Sequence, residues 1–152
     1  MDESCYYQPG KMTDESWKWV RHFRKDEGGR NAFGDPLEMS VKLIFLLDAL
    51  RTIIDLPISI HCGYATKGHA DGSTHYDGLA VDLHGVGISA QSLLWEAMKL
   101  PFTGIGLYMW WNNPGLHLDI RRLNPGQQRK QWVLDKHGNY KNMRRMDLMF
   151  HS

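Results

Sequence analysis

An α+β domain, with a small, largely antiparallel sheet and helices packed on one face, is what this sequence predicts. Three observations lead there. Apolar residues recur at helical spacing in the first half of the chain and again around residues 90–98. After Pro57 the pattern shifts to period-two alternation. The last alternating segments then follow one another without the helix-length crossover that a parallel sheet needs. The 152 residues amount to one domain, and 42% hydrophobic with 23% charged residues is the composition of a soluble globular chain.

Residues 1–12 read as a loose N-terminal arm, leaving 13–152 as a single domain with no repeat or linker to divide it. Thr13 is placed to cap a helix through Trp17, Val20 and Phe23, which Gly28 and Gly29 end. A stronger helix follows Pro36, where Leu37, Val41, Leu43, Ile44, Leu47, Leu50, Ile53 and Ile54 form an apolar stripe. Beyond Pro57, Ile58, Ile60 and Cys62 share one face of a strand and Ser59 and His61 the other. The glycine-rich stretch 63–72 is a loop. Leu79, Val81 and Leu83 alternate with Ala80, Asp82 and His84 as a second strand. Ser89 suits the N-cap of a third helix through Leu93, Leu94, Ala97 and Met98. A short strand at 104–108 follows, and then Leu116, Leu118 and Ile120 alternate with His117, Asp119 and Arg121. Residues 131–134 supply the last strand.

No apolar run approaches the roughly 18–20 residues that span a bilayer. The start, Met1-Asp2-Glu3-Ser4-Cys5, is acidic and lacks a secretory signal's basic and apolar regions, so a cytoplasmic location is expected. Action on a cell wall then requires release or export by other means. A net charge of +1 singles out no partner, and two cysteines, Cys5 and Cys62, are too few for a disulfide framework. The C-terminal segment is basic: Arg121, Arg122, Arg129, Lys130, Lys136, Lys141, Arg144 and Arg145 face only Asp135 and Asp147. A solvated surface is the plain reading and an anionic cell envelope the functional one. Without interleaved aromatic residues, nucleic acid is not an expected partner. A monomer is expected.

The chemistry lies on the polar faces of the strands. Asp82 and His84 share one such face, His117, Asp119 and Arg121 another, and Ser73-Thr74-His75 stands just ahead of the second strand. Imidazole and carboxylate groups converging from neighbouring strands suit Zn²⁺, which takes such ligands at about 2.0–2.2 Å. Solvated histidines on a half-exposed strand would produce the same spacing.

The order of residues says more. Ser73-Thr74-His75-Tyr76-Asp77-Gly78-Leu79-Ala80-Val81-Asp82 reads S-x-H-x-x-G-x-A-x-D. This closely resembles the first zinc motif of the D-Ala-D-Ala carboxypeptidase family of metallopeptidases, whose relatives include phage L-alanyl-D-glutamate endolysins and, more distantly, the hedgehog signalling domain. Leu47-Asp48-Ala49-Leu50-Arg51 with Pro57-Ile58-Ser59-Ile60 looks like the family's helix and first strand. Gly104-Ile105-Gly106-Leu107-Tyr108 and Leu116-His117-Leu118-Asp119-Ile120-Arg121 look like its closing strands, including the H-x-D-x-R form of phage-type members. The resemblance covers residues 13–135 or so. It implies a hedgehog/DD-peptidase-like fold, Zn²⁺ held by His75, Asp82 and His117, and Ser73 steadying His75.

Two departures accompany it. The family's usual carboxylate base, three residues before the last histidine, is replaced by Pro114, which leaves Asp119 as the expected general base, with Asp77 and His84 behind it. The arginine of the family's S-G-Y-R is replaced by Ala65, so His61, Lys67 or Arg121 is expected to contact substrate in its stead. Trp110 and Trp111 are candidates to line a groove. The function implied is zinc-dependent hydrolysis of a peptide bond in peptidoglycan stems, as a phage or prophage endolysin. A cytoplasmic D-Ala-D-Ala dipeptidase is the enzymatic alternative. A catalytically inactive module that keeps its zinc and binds cell wall or protein is the other.

Overall fold

Strict alternation decides which side of each strand is buried. The computed structural model describes residues 10–144, so residues 1–9 of the expected arm, and Arg145 and Asp147 of the basic segment, lie outside the described residues. Strands β1 (Ile58–Cys62), β2 (Ala80–Gly85), β3 (Gly104–Tyr108), β4 (Gly115–Asp119), β5 (Lys130–Leu134) and β6 (Tyr140–Asn142) form one sheet in the order β1-β2-β4-β3-β5-β6. All neighbouring pairs among these strands are antiparallel except β3 with β5. The expected α+β architecture is therefore what forms, with one parallel pair and a short sixth strand in addition. Ile58, Ile60, Val81, Leu83, Ile105, Leu107, Leu116 and Leu118 turn to one face and are buried. Removing each from water contributes about 1.5–3 kcal/mol.

Helices α2 (Val41–Ile54) and α3 (Ala90–Ala97) belong to this core through Leu43, Ile44, Leu47, Leu50, Leu93 and Leu94, all fully buried. Ser89 caps α3 as expected, its hydroxyl accepting from the Ser92 N–H at 3.1 Å. Helix α2 starts later than expected. Ser40 is its N-cap. Ahead of it the chain turns, with Glu38 N–H donating to the Asp35 carbonyl, and Met39 and Ser40 are held to neighbouring segments: Ser40 N–H donates to the Gly78 carbonyl and the Met39 carbonyl accepts from Met12 N–H. Leu37 and Ile53, counted in the apolar stripe, are 40% and 51% exposed.

The first expected helix is shorter still. Helix α1 (Asp14–Trp17) is a single turn, capped by Thr13. It stops because the N–H groups of Arg21 and His22 each donate to the Asp48 carboxylate at 2.9 Å. That anchor, set in α2, bends the chain so that Phe23 packs edge-on against Phe33. Asp48→Ala is expected to cost about 1–3 kcal/mol in chemical denaturation, the penalty for stranding donors at a half-buried site. An unchanged midpoint would show that the turn holds without its anchor. Among the described residues no helix is long and apolar enough to cross a membrane.

One irregularity prepares the opposite face. Pairing shifts between Ile60↔Leu83 and Cys62↔Asp82, so His61 forms a bulge in β1. Cys62, expected beside Ile58 and Ile60 on the apolar face, is thereby turned to the polar one.

Candidate metal centre

The polar face collects the expected residues by simple register. Asp82 of β2 and His117 of β4 are direct cross-strand partners. His75 arrives from a single 3-10 turn, Thr74–Asp77, whose entry is fixed by Ser73: its hydroxyl accepts from the His75 N–H at 3.2 Å. Gly78 ends the turn at φ +69, and a β-carbon there would lie 1.8 Å from the Glu38 carbonyl oxygen. Only glycine meets both demands.

His75 Nε2 lies 3.3 Å from one Asp82 oxygen and His117 Nδ1 lies 3.0 Å from the other. One ligand atom from each of the three residues falls within 4.8 Å of the others. The remaining ring nitrogens are already engaged: His75 Nδ1–H donates to the Gly63 carbonyl and His117 Nε2–H to the Asp119 carboxylate, both at 2.8 Å. Those acceptors fix both tautomers and aim the remaining lone pairs at Asp82. Lone pairs and carboxylate oxygens so placed repel one another unless a cation, proton or metal, stands among them. Two imidazole nitrogens and a carboxylate oxygen, mostly buried, are the donor set Zn²⁺ prefers, so the residues fit that ion.

A second triplet, Cys62, His69 and His75, also lies within ligating distance of itself. Its His75 nitrogen is the one committed to Gly63, leaving Cys62 Sγ and His69 Nε2 at 3.6 Å as a pair against the first cluster. The His69 ring stacks on His75 with centroids 4.2 Å apart.

The titration behaviour follows from this packing. Burial opposes protonation of His75, but the hydrogen bonds to Asp82 and Cys62 outweigh it and push its pKa up to about 10. His117 is raised too, burial being overcome by Asp119 and Asp82. Asp82 and Asp119 are held well below the usual carboxylate range despite burial, Asp82 by His117 and His75, Asp119 by His117 and Arg121.

A pH dependence follows for protein stripped of metal. His75 has a raised pKa, so its contribution to stability is complete below the ordinary value of 6.5 and is lost as pH rises through about 10. The lowered carboxylates contribute above their ordinary 3.8 and lose that contribution as pH falls. Metal, by contrast, needs the imidazoles neutral and binds more tightly as pH rises. The gap in melting temperature between zinc-loaded and stripped protein is therefore expected to widen between pH 6.5 and 9. A constant gap in calorimetry would count against a cluster that exchanges protons for metal.

Asp119, the expected general base, is placed behind His117 instead of beside the cluster's open side. It is 0% exposed, and its oxygens accept from His117 Nε2, the Arg121 backbone N–H and the Arg121 guanidinium. Its space comes from Gly104, where a β-carbon would sit 2.3 Å from a carboxylate oxygen. Gly106 likewise makes room for the Trp132 indole, whose Nε1–H donates to the Tyr108 hydroxyl at 3.0 Å. The Arg121 guanidinium lies 5.0 Å over the Trp132 ring.

Two cavities open on this face and meet at Asp82 and Trp111. The first, of about 580 Å³, holds His75, His117, His69, Tyr108, Trp132 and Arg121. The second, of about 550 Å³, holds His61 and His84, whose Nε2 and Nδ1 are 2.5 Å apart. Ser73, His61, His84, Arg121 and Trp111 are thus brought to the site. Trp110 is not: successive residues of the turn after β3 diverge, leaving Trp110 61% exposed and outside both linings, while Trp111 stacks on Tyr108. Asp77 and Lys67 are exposed and line neither cavity.

Sequence reasoning missed His69, Asp71, Tyr108 and Trp132 on the first cavity. His69 and Asp71 stand in a loop with no periodicity to flag them. Tyr108 and Trp132 meet only through the parallel pairing of β3 with β5. The paired glycines Gly104 and Gly106 were the available signal, since alternate glycines in a strand mark a face that something large covers.

Among curated proteins none matches this chain. The family model described as Peptidase M15 matches residues 19–119, a span that begins ahead of α2, contains His75, Asp82 and His117, and ends on Asp119. With that match over most of the chain and a donor set suited to zinc inside it, the chain belongs to the M15 peptidases, a family of zinc peptidases.

Proposed function

We propose that this chain hydrolyses a peptide bond in the stem peptides of bacterial peptidoglycan, acting as an endolysin-like DD-carboxypeptidase or L-Ala-D-Glu endopeptidase. The observation that carries the reading is the pair of tautomer-fixed imidazoles converging with Asp82 on the floor of an open cavity. His75, Asp82 and His117 are the residues that would hold zinc. When bound, zinc supplies Lewis acidity toward a carbonyl and lowers the pKa of its water.

The chain's own residues supply the rest. Asp119 keeps the His117 ring in one tautomer and one orientation, and Arg121 neutralises the buried carboxylate. Tyr108, Trp111 and Trp132 offer flat apolar walls along which a peptide can lie. Asp71 and His69 are the proton-accepting side chains of this cavity outside the cluster and its Asp119 support, and one of them takes the proton that Asp119 is too enclosed to reach. Burial and the neighbouring His75 keep the His69 pKa below its ordinary value.

Mass spectrometry of soluble fragments from purified peptidoglycan tests this directly. New amino termini released by wild type and absent with His117→Ala are expected, and they name the bond. The enclosure of Asp119 also favours a second reading, a module that binds zinc and wall without cutting. Intact wall after digestion by a zinc-loaded wild type that still sediments with it would put that reading first.

A further inference from the structure

The second cavity, on the far side of Asp82, differs in character from the first. Among the described residues that line it Asp82 is the only acid, and both Asp82 oxygens are engaged with His75 and His117. The rest of the polar wall is built of groups that donate hydrogen bonds: the Arg30 guanidinium, the Ser59 hydroxyl, the amides of Asn112 and Asn113, and the His61–His84 pair. Whatever its protonation, that pair places a single hydrogen in its 2.5 Å contact and so presents at least one further N–H outward. Arg30 is the formal positive charge of the cavity. It comes from the loop ahead of α2, and its Nη2 donates to the Ile60 carbonyl at 3.1 Å, which ties the guanidinium to β1. One N–H of the fork is used there, and a carboxylate matches two others in parallel.

We propose that this cavity is a subsite for a carboxylate of the substrate and that Arg30 is the residue that recognises it. The inference rests on the peptidase reading above for the identity of the ligand as a peptide acid. A chain lying across Asp82 then has its scissile bond over the cluster, its apolar portion against Trp111 and Tyr108, and its acid at Arg30. The donors alone do not select an anion over a neutral amide. The guanidinium does.

The test uses the full zinc-loaded chain and two probes: a stem tetrapeptide with free carboxylates, and the same peptide with its carboxylates amidated. Binding is read by calorimetry and cleavage by mass spectrometry. Wild type is expected to bind the free acid about tenfold or more tightly than the amide, the scale of one charge-assisted hydrogen bond. Arg30→Gln, which keeps a donor for Ile60 but no charge, is expected to bind both probes alike, with zinc uptake unchanged. Arg30→Lys is expected to regain part of the preference. A preference for the acid that survives in Arg30→Gln, or no preference in wild type, overturns the proposal. Preference that depends on Arg30, with neither probe nor wall cleaved, upholds the subsite and instead overturns the peptidase reading.

Discussion

His117→Ala is expected to abolish zinc uptake and wall cleavage together. The imidazole supplies one of three converging ligand atoms, and it is also the link between Asp82 and Asp119. Removing a group that merely supports a ligand costs about 10–100-fold in metal affinity. Removing the ligand itself should exceed that. The stripped protein should suffer as well, because two mostly buried carboxylates each lose a partner, a change of about 3–5 kcal/mol where an ion pair is broken from one side. Zinc content by elemental analysis and urea denaturation measure the two effects separately. A variant that keeps one tightly held zinc per chain would show that the metal lies elsewhere. His137→Ala, at an exposed position, is the control and should change neither.

The second large effect is expected at Asp119, and there the kind of loss matters more than its size. Asp119→Ala strands the Arg121 guanidinium and frees the His117 ring, for a stability cost of about 3 kcal/mol once the partial exposure of Arg121 is allowed for. Zinc affinity should fall about 10–100-fold. Cleavage should return in large part when zinc is raised to saturation. A general base behaves otherwise: its removal costs about 10²–10⁴-fold in rate, and no excess of metal restores it. Measuring kcat at saturating zinc beside the zinc dissociation constant therefore separates the two roles. Asp119→Asn sharpens the comparison, since an amide oxygen still accepts from Nε2–H of His117 while the charge that pairs with Arg121 is gone.

The strands that carry the cluster could be read from the chain because their signal is local. Period-two alternation around Asp82 and His117 places both side chains opposite the buried leucines and valines, and no distant contact is needed to decide it. The same holds for Thr13 and Ser89 as caps, whose hydroxyls accept from N–H groups three residues on. The link from His75 to Asp82 rode on a motif whose order of Ser, His, Gly, Ala and Asp reflects the turn that joins them.

Where the expectations moved, a long-range contact had overridden a local preference. Residues 18–23 have helical spacing, but two backbone donors gain more from the Asp48 carboxylate than from another turn. Residues 36–38 turn on Asp35, and Met39 and Ser40 gain more from bonding Met12 and Gly78 than from extending α2. Asp119 was expected to face the reacting centre because it shares a strand face with His117. Its carboxylate turns instead into the space above Gly104, where Arg121 and Nε2–H of His117 satisfy it.

Residue types and their periods thus settled the five strands from 58 to 134 and the buried face of the sheet, while the resemblance supplied the three residues that meet on the other face. Only the folded chain decided which nitrogen of each imidazole faces the cluster, that Asp119 stands behind it, and that Arg30, distant in sequence, shares a wall with His61 and His84. The reason is physical. A strand's periodicity fixes the side to which a residue points, whereas its partners depend on strand order, on the bulge in β1 and on loops that carry no periodicity of their own.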